Sequence, residues 1–276
     1  MRKLAVLLSW KNQAEYYMQE LARVISNQYE TTISYHELDF TGFDVVFTYF
    51  ASSNPVGVDD KLVKRFAAFH EVGGCKWGKV NVVSCTLMLE RMLQHGSEVL
   101  LTPLGVNPEH FYPRPFPQTP KLRVGWAGPP TWPKRLEKLE ALLETLPGVE
   151  FVPAIWRGAA GIYKGPYETK DMGQYYAGIH VYVCSSSSEG FCCPILEASA
   201  CGRPVVTFDV GVARDLKAVG AGITIIEDKD DFRALGEAIS SIDYQKLGGQ
   251  SAEAVREHWL WEKVKFKWLE AFARIK

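Results

Sequence analysis

The sequence lacks long apolar runs, since no hydrophobic stretch approaches the ~18 residues that a membrane-spanning helix needs. The first apolar run, Leu4–Leu8, is short, and Ser9–Asn12 follows it without a cleavage site, so we interpret it as a first strand and not as a signal peptide. An excess of one charge is also missing: the net charge is −1, whereas a duplex-binding surface usually needs a basic excess. With 47% hydrophobic residues, we expect a globular chain with a sizeable core.

Metal-binding patterns are missing as well. The six cysteines form no Cys-x2-Cys pair, and no histidine has zinc-ligand spacing, so we predict no essential metal. Asp228-Lys229-Asp230 precedes a helical pattern and is interpreted as an acidic helix start. Four cysteines lie among apolar or small residues, which favours buried, reduced thiols and a cytoplasmic location: Cys184, Cys192, Cys193 and Cys201.

Short aliphatic runs alternate with helical patterns, which is typical of a parallel sheet covered by helices. The predicted strands are 4–8, 31–35, 44–50, 79–84, 98–102, 123–127, 150–153, 180–184, 204–208 and 223–225. The predicted helices are 14–27, 59–70, 86–95, 136–145, 172–177, 194–201, 212–218, 231–241 and 259–275.

A proline-rich stretch interrupts this alternation, with prolines at 108, 113, 115, 117 and 120. Proline fixes φ and removes a backbone donor, so the stretch is predicted to be a linker. The resulting division is an N-terminal lobe over 1–106, a linker over 107–120, a second lobe over 121–258 and a final helix over 259–276. Two such lobes would enclose a cleft, where α/β proteins bind nucleotides.

The final helix is amphipathic. Its apolar stripe contains Trp261, Trp268 and Phe272, and such a stripe predicts burial against the body of the protein, near the cleft. The second interpretation is that this helix binds a membrane surface, because basic residues flank the stripe: Lys263, Lys265, Lys267 and Arg274.

The segment 181–198 carries the clearest chemistry. A buried strand ends in four serines, and Gly190 and Pro194 suit the start of a helix, where backbone amides favour an anion. Glu189 precedes that helix and Glu197 lies inside it; carboxylates among apolar residues need donors such as sugar or ribose hydroxyls. The simpler alternatives stay open: Glu189 as a charge that satisfies the helix dipole, and Glu197 as a solvated helix position.

Glu189-x7-Glu197 resembles the Glu-x7-Glu motif of retaining glycosyltransferases, especially family 4. Further segments resemble that family in the same order, and together they span about residues 80–276: Pro103–Pro113, Met172–Ala177, Ala198–Val206 and Trp261–Val264. The resemblance implies an α/β fold of the GT-B type, with two Rossmann-like lobes, parallel sheets and an interlobe cleft.

The resemblance also implies residue roles. Glu189 would contact hydroxyls of the donor sugar, and Glu197 would bind the ribose of the nucleotide. Lys134 would neutralise the leaving diphosphate, which is a purely electrostatic task. Further donor-binding candidates are the backbone amides near Gly190, Phe191 and Cys192 and the side chain of Arg135.

Three departures from the family pattern are visible. Gly125–Gly128 stands where the family has Gly-Arg-Leu, so its arginine is missing and Arg135 is the candidate replacement. Ser9–Asn12 replaces a Gly-Gly loop, and the first lobe is short. Because that lobe should build the acceptor site, the acceptor is not identified.

The implied activity is retaining transfer of a sugar from a UDP- or GDP-sugar to an acceptor hydroxyl. The nucleotide-sugar is a co-substrate, and no other cofactor is expected. The acceptor would be a glycan or lipid-linked glycan, and nucleic acid is less favoured. The alternatives are a glycosyltransferase acting on a modified nucleic-acid base and a catalytically silent sugar-nucleotide-binding protein.

Overall fold

The computed structural model describes residues 1–8, 13–36, 38–49, 55–66, 77–94, 98–159 and 162–276. These residues form two compact units. Unit 1 comprises Met1–Gly105 and Trp261–Lys276, and unit 2 comprises Val106–Leu260. The chain therefore leaves unit 1, builds all of unit 2 and returns to finish unit 1.

The described strands are β1 (Arg2–Leu7), β2 (Tyr29–Ser34), β3 (Val45–Thr48), β4 (Leu62–Arg65), β5 (Val80–Val83), β6 (Leu100–Leu101), β7 (Leu122–Gly128), β8 (Val149–Ile155), β9 (Arg157–Ala159), β10 (Ile162–Lys164), β11 (Val181–Cys184), β12 (Val205–Phe208) and β13 (Ile223–Ile226). The described α-helices are α1 (Gln13–Ile25), α2 (Thr86–Leu93), α3 (Leu136–Glu144), α4 (Met172–Ala177), α5 (Cys193–Ala200), α6 (Ala213–Ala218), α7 (Phe232–Ser240), α8 (Tyr244–His258) and α9 (Trp261–Ala273). Among the described residues, we find no helix with the length and apolarity required to cross a membrane.

Unit 1 is built on a parallel sheet, whose order over the described residues is β2-β1-β3-β4-β5-β6. The helix α9 packs on this sheet and buries its apolar stripe, as its periodicity predicts. Trp268 meets Phe47 of β3 edge to face at 5.4 Å and donates from Nε1 to the carbonyl oxygen of Pro103 at 2.8 Å. Phe272 contacts the same Phe47 ring at 6.0 Å. The last helix therefore completes the core of the first sheet.

One predicted helix is wrong. Residues 62–65 form the strand β4, and residues 67–70 of the predicted helix lie outside the described part of the chain. Lys64 and Arg65 are both buried in this strand, between β3 and β5. A strand that is buried on both faces does not show the alternation of polar and apolar residues by which strands are predicted. Its charged residues were therefore interpreted as the polar face of an amphipathic helix.

Unit 2 contains a second parallel sheet, of order β13-β12-β11-β7-β8 in the described residues. The structure adds a helix that the sequence did not predict, α8, and an antiparallel hairpin of β9 and β10. Helices α3 and α7 cover the sheet through a core that includes Val124, Trp126, Leu139, Val183, Phe208, Leu235 and Ile239.

The proline-rich stretch belongs to unit 2. Arg203 is fully buried, donates to the carbonyl oxygen of Pro115 at 3.1 Å and lies over the Phe116 ring at 4.4 Å. His180 stacks on the same Phe116 ring, with the two ring centroids 6.2 Å apart. Its Nε2 forms a hydrogen bond with the carbonyl oxygen of Pro117 at 2.9 Å. Side chains of unit 2 therefore donate hydrogen bonds to carbonyl oxygens of this stretch, whose prolines have no backbone N–H to donate.

Candidate functional site

The two central strands of unit 2, β7 and β11, define the site. The chain proceeds from β7 to β8 on one side and later to β11 on the other, so the winding direction reverses between β7 and β11. In open α/β sheets, ligands bind beyond the carboxyl ends of the strands at such a reversal. The loops that follow β7 and β11 carry Lys134 and Glu189.

The loop after β7 fixes the position of Lys134. Gly128 ends the strand with φ of 147°, and a Cβ at Gly128 would lie 3.4 Å from the Cε of Lys134. The backbone N–H of Lys134 donates to the carbonyl oxygen of Thr131 at 2.7 Å, and its carbonyl oxygen accepts from the Ser185 hydroxyl at 2.7 Å. The lysine is thus attached both to its own turn and to the loop after β11.

Lys134 and Glu189 form an ion pair, although they lie 55 residues apart in sequence. The distance from Nζ to Oε1 is 2.5 Å, and the side chains are only 16% and 14% exposed. Ser186 donates its hydroxyl to the same Oε1 at 2.7 Å. Burial lowers the pKa of Lys134, but the Glu189 carboxylate and the Cys192 and Cys184 sulfurs together raise the pKa above its ordinary value. Lys134 is therefore a cation at neutral pH.

Two thiols lie beside this pair. Sγ of Cys184, at the end of β11, is 3.6 Å from Sγ of Cys192, which precedes α5. The hydrogen bond from Cys192 lowers the pKa of Cys184 to about 7, and Lys134 contributes to the lowering. The same hydrogen bond, together with burial, raises the pKa of Cys192. Cys184 is thus the more acidic thiol of the pair.

The loop ahead of α5 holds the remaining predicted contacts of the sugar and diphosphate. Gly190 and Phe191 connect Glu189 to Cys192, which caps α5 with a left-handed backbone at φ 66°. The carbonyl oxygen of Phe191 accepts from the backbone of Val212 at 2.8 Å, which attaches the loop to the region after β12. The structure thus places these residues beside the Lys134–Glu189 pair.

Glu197 is placed differently. It is fully buried on α5, and its Oε2 accepts a hydrogen bond from the Tyr176 hydroxyl at 2.7 Å. Burial, followed by the Glu197 charge, raises the pKa of Tyr176, so the hydroxyl stays protonated and donates. The solvated-helix alternative for Glu197 is wrong. Sequence analysis identified the segment of α4 that contains Tyr176 but gave this hydroxyl no role.

Arg135 connects the site to the edge of the unit. Its Nε donates to the carbonyl oxygen of Ser185 at 2.8 Å and its Nη1 to that of Lys229 at 2.6 Å, while the guanidinium covers the Phe208 ring at 4.6 Å. Within the part of the chain that the structure describes, its buried Nη2 has no hydrogen-bond partner. The guanidinium thus holds two loops together and retains one nitrogen for a further acceptor.

Comparisons with known proteins agree with this architecture. Residues 117–242 match a family model described as glycosyl transferases group 1. Sucrose-phosphate synthase of Thermosynechococcus elongatus is similar in structure, with a TM-score of 0.78 at 14% identity over 99% of this chain and 98% of that protein. No curated protein sequence matches the chain.

Two further structures are similar over nearly the whole chain. Anabaena HepE, solved in complex with UDP-glucose, has a TM-score of 0.73 at 12% identity, over 99% of this chain and all of that one (100%). The lipopolysaccharide outer core galactosyltransferase WaaB has a TM-score of 0.66 at 13% identity, over 98% of both chains. These likenesses confirm the predicted fold class.

Proposed function

We propose that this chain, a GT-B-type α/β protein whose second unit matches the group 1 glycosyl transferases, is a retaining glycosyltransferase that uses a UDP- or GDP-sugar. The observation that carries the proposal is the Lys134–Glu189 ion pair at the point where the winding of the unit 2 sheet reverses. A cation and an acceptor of hydroxyl hydrogen bonds are the two groups that a nucleotide-sugar needs at its diphosphate and its sugar.

Lys134 supplies the electrostatic contribution. When the glycosidic bond to the diphosphate breaks, negative charge develops on the leaving oxygen. A preorganised cation in a partly buried site stabilises that charge without reorganisation at the moment of reaction. Contact with Glu189 keeps Lys134 charged and oriented before the donor binds.

Glu189 supplies the contact with the sugar. Its Oε1 already accepts hydrogen bonds from Lys134 and Ser186, and the carboxylate has capacity for hydroxyl donors. Arg135 Nη2 and the amides of Gly190, Phe191 and Cys192 complete the proposed diphosphate contacts. In this proposal no protein nucleophile is used, and the departing diphosphate helps to deprotonate the acceptor hydroxyl on the same face of the sugar.

The proposal includes metal independence, because Lys134 provides at the diphosphate the positive charge that a metal ion provides in other transferases. It also includes a uridine or guanosine diphosphate donor, a glycan or lipid-linked glycan acceptor and a cytoplasmic location. The solved complex of HepE with UDP-glucose supports a nucleotide-sugar donor, and the described cysteines, all free thiols, suit a reducing compartment.

The test is a binding and turnover screen with the full chain. Thermal shifts against UDP, GDP and their sugars identify the donor, because a ligand that binds the folded state raises its stability. Release of the nucleotide in the presence of glycan acceptors then measures turnover, with and without a chelator, and NMR of the product gives its anomeric configuration. Binding without turnover on any acceptor would identify a silent sugar-nucleotide-binding protein, and inversion would contradict the proposed mechanism.

A further inference from the structure

We propose that Cys184 and Cys192 are an oxidisable pair that forms a reversible disulfide beneath the loop carrying Glu189. The two thiols lie at the two ends of that loop: Cys184 is the last residue of β11, and Cys192 is the residue before α5. Nothing in the proposed transfer reaction uses either sulfur, so the pair is an additional site in unit 2.

The geometry is close to that of a bond. The sulfurs are 3.6 Å apart, and a disulfide requires about 2.05 Å, so a movement of roughly 1.5 Å joins them. Cys192 is the more easily moved partner, because it lies outside regular structure and holds a left-handed backbone that a non-glycine residue adopts at a cost. Cys184 is fixed within a central strand.

The two thiols differ in acidity, and Cys184 is the more acidic of the pair. Cys184, with its lowered pKa, supplies the thiolate, and a hydroperoxide is the oxidant. The Cys184 thiolate attacks one peroxide oxygen, which gives a sulfenic acid and releases the other oxygen as water after protonation. Cys192 then attacks the sulfenic sulfur, a second water leaves, and the net change is two thiols and one hydrogen peroxide to one disulfide and two waters.

A metal site is the competing use of the same atoms. Within the described residues, Cys184, Glu189 and Cys192 offer three ligand atoms within 4.8 Å of one another. However, the ammonium of Lys134 lies 2.5 Å from Oε1 of the Glu189 carboxylate. A divalent cation would have to displace that charge, whereas the same charge favours the Cys184 thiolate. The ammonium therefore disfavours a metal ion at these atoms, and the hydrogen bond from Cys192 is the main cause that lowers the pKa of the Cys184 thiol.

Oxidation would change the donor site. Movement of Cys192 toward Cys184 pulls on Gly190 and Phe191 and thus on Glu189, whose contact with Lys134 depends on the path of the loop. Resting on the proposed function, we expect turnover to fall about 10²-fold in the oxidised protein, because a displacement of about 1 Å at a catalytic contact has effects of this size. Dithiothreitol should restore it.

The covalent test does not depend on activity. The reduced full chain is treated with hydrogen peroxide, blocked at its remaining thiols, digested without reductant by a protease that cleaves after glutamate, and analysed by mass spectrometry. Cleavage after Glu189 separates Cys184 from Cys192, so the disulfide is seen as two fragments that stay linked until reductant is added.

Cys193 provides the matched control, because it is the neighbour of Cys192 and is more exposed. We expect Cys193→Ser to keep the link, and Cys192→Ser and Cys192→Ala to lose it. Absence of the link in the folded wild-type chain, or a link made through Cys193 or Cys201, would overturn the proposal. Formation of the link without loss of turnover would overturn its effect on the donor site, while leaving the transferase proposal intact.

Discussion

The two units are wound in the same way, and in unit 2 the loops beyond the strands carry a paired cation and carboxylate. In the first sheet β1 lies between β2 and β3, and in the second sheet β7 lies between β8 and β11. The winding direction therefore reverses beside the first strand of each sheet. In unit 2 the loops after β7 and β11 bring Lys134 and Glu189 together there. In unit 1, residues 9–12 and 50–54, which come after β1 and β3 in the sequence, lie outside the described residues. The shared winding therefore marks an equivalent place in each sheet, and in unit 2 the loop residues at that place form an ion pair.

Two cations, Arg65 of unit 1 and Lys134 of unit 2, differ in their burial and in their partners. Arg65 ends β4 of unit 1, is buried, donates to the Ser84 hydroxyl at 2.8 Å and lies over the Tyr49 ring at 4.2 Å. Lys134 of unit 2 lies in a loop, is partly exposed and pairs with a carboxylate. A cation buried against a ring and a hydroxyl serves the packing of its sheet, whereas a partly exposed cation paired with a carboxylate is available to an anionic ligand.

The largest expected effect is a loss of stability in unit 1 that unit 2 does not share. Trp268→Ala removes a fully buried ring and its hydrogen bond from unit 1, which should cost about 3–5 kcal/mol. Denaturant unfolding followed by fluorescence should show an earlier transition for unit 1. Phe266→Ala, on the exposed face of the same helix, is the control and should change little. Equal shifts of every transition would show that the units unfold as one.

Lys134→Ala tests the site of unit 2. Loss of one preorganised charge at a developing anion typically lowers kcat by about 10²–10³-fold, and we expect that range for nucleotide-sugar turnover. Lys138→Ala removes a more exposed lysine from the next turn of the same region and should leave kcat unchanged. If the two variants have the same turnover, the ion pair is a packing feature like Arg65.

Regular patterns made most of the fold predictable, and long-range contacts account for what was missed. The strand ending at Cys184 and the helix beginning near Pro194 were predicted, because an apolar run followed by glycine and proline is a local signal. Lys134 and Glu189 were predicted as separate residues, but their contact depends on strand order, which no local pattern encodes. Helix α8 was missed because Gly248 and Gly249 interrupt its sequence, although Gly248 is needed where α8 meets the Gly202 backbone.

Tyr176→Phe sharpens the assignment of Glu197. Removing the hydroxyl takes one hydrogen bond from a buried carboxylate, which should cost about 1–3 kcal/mol of stability. If Glu197 also binds ribose, Kd for the nucleotide should rise while kcat changes little, and Glu197→Gln should weaken nucleotide binding further. A loss of stability with unchanged Kd in both variants would make the pair part of the core only.

The smallest effect concerns pH and the proline-rich stretch. Burial lowers the pKa of His180 below its ordinary value, so the folded state favours the neutral ring, whose Nδ1 accepts from the backbone of Arg123 at 2.9 Å. The unfolded chain takes up the proton more readily, so this contribution is present above about pH 6.5 and is lost as the pH falls below it. Denaturation midpoints at about pH 7.5 and pH 5.5 should therefore differ less in His180→Gln than in the wild-type chain. Identical pH dependence would contradict this role.

The path of the chain through the two units has a consequence for biosynthesis. Gly105 and Trp261 are in contact, since a Cβ at Gly105 would lie 2.8 Å from the Trp261 backbone, and Val106 pairs with Leu260 where unit 2 begins and ends. Translation thus produces the strands of unit 1 first but their covering helix α9 last. Unit 2 has all its residues before unit 1 does, which reverses the usual N-terminal-first order of folding on the ribosome. During that interval the Phe47 face of the first sheet lacks its cover and is the surface that a chaperone would protect.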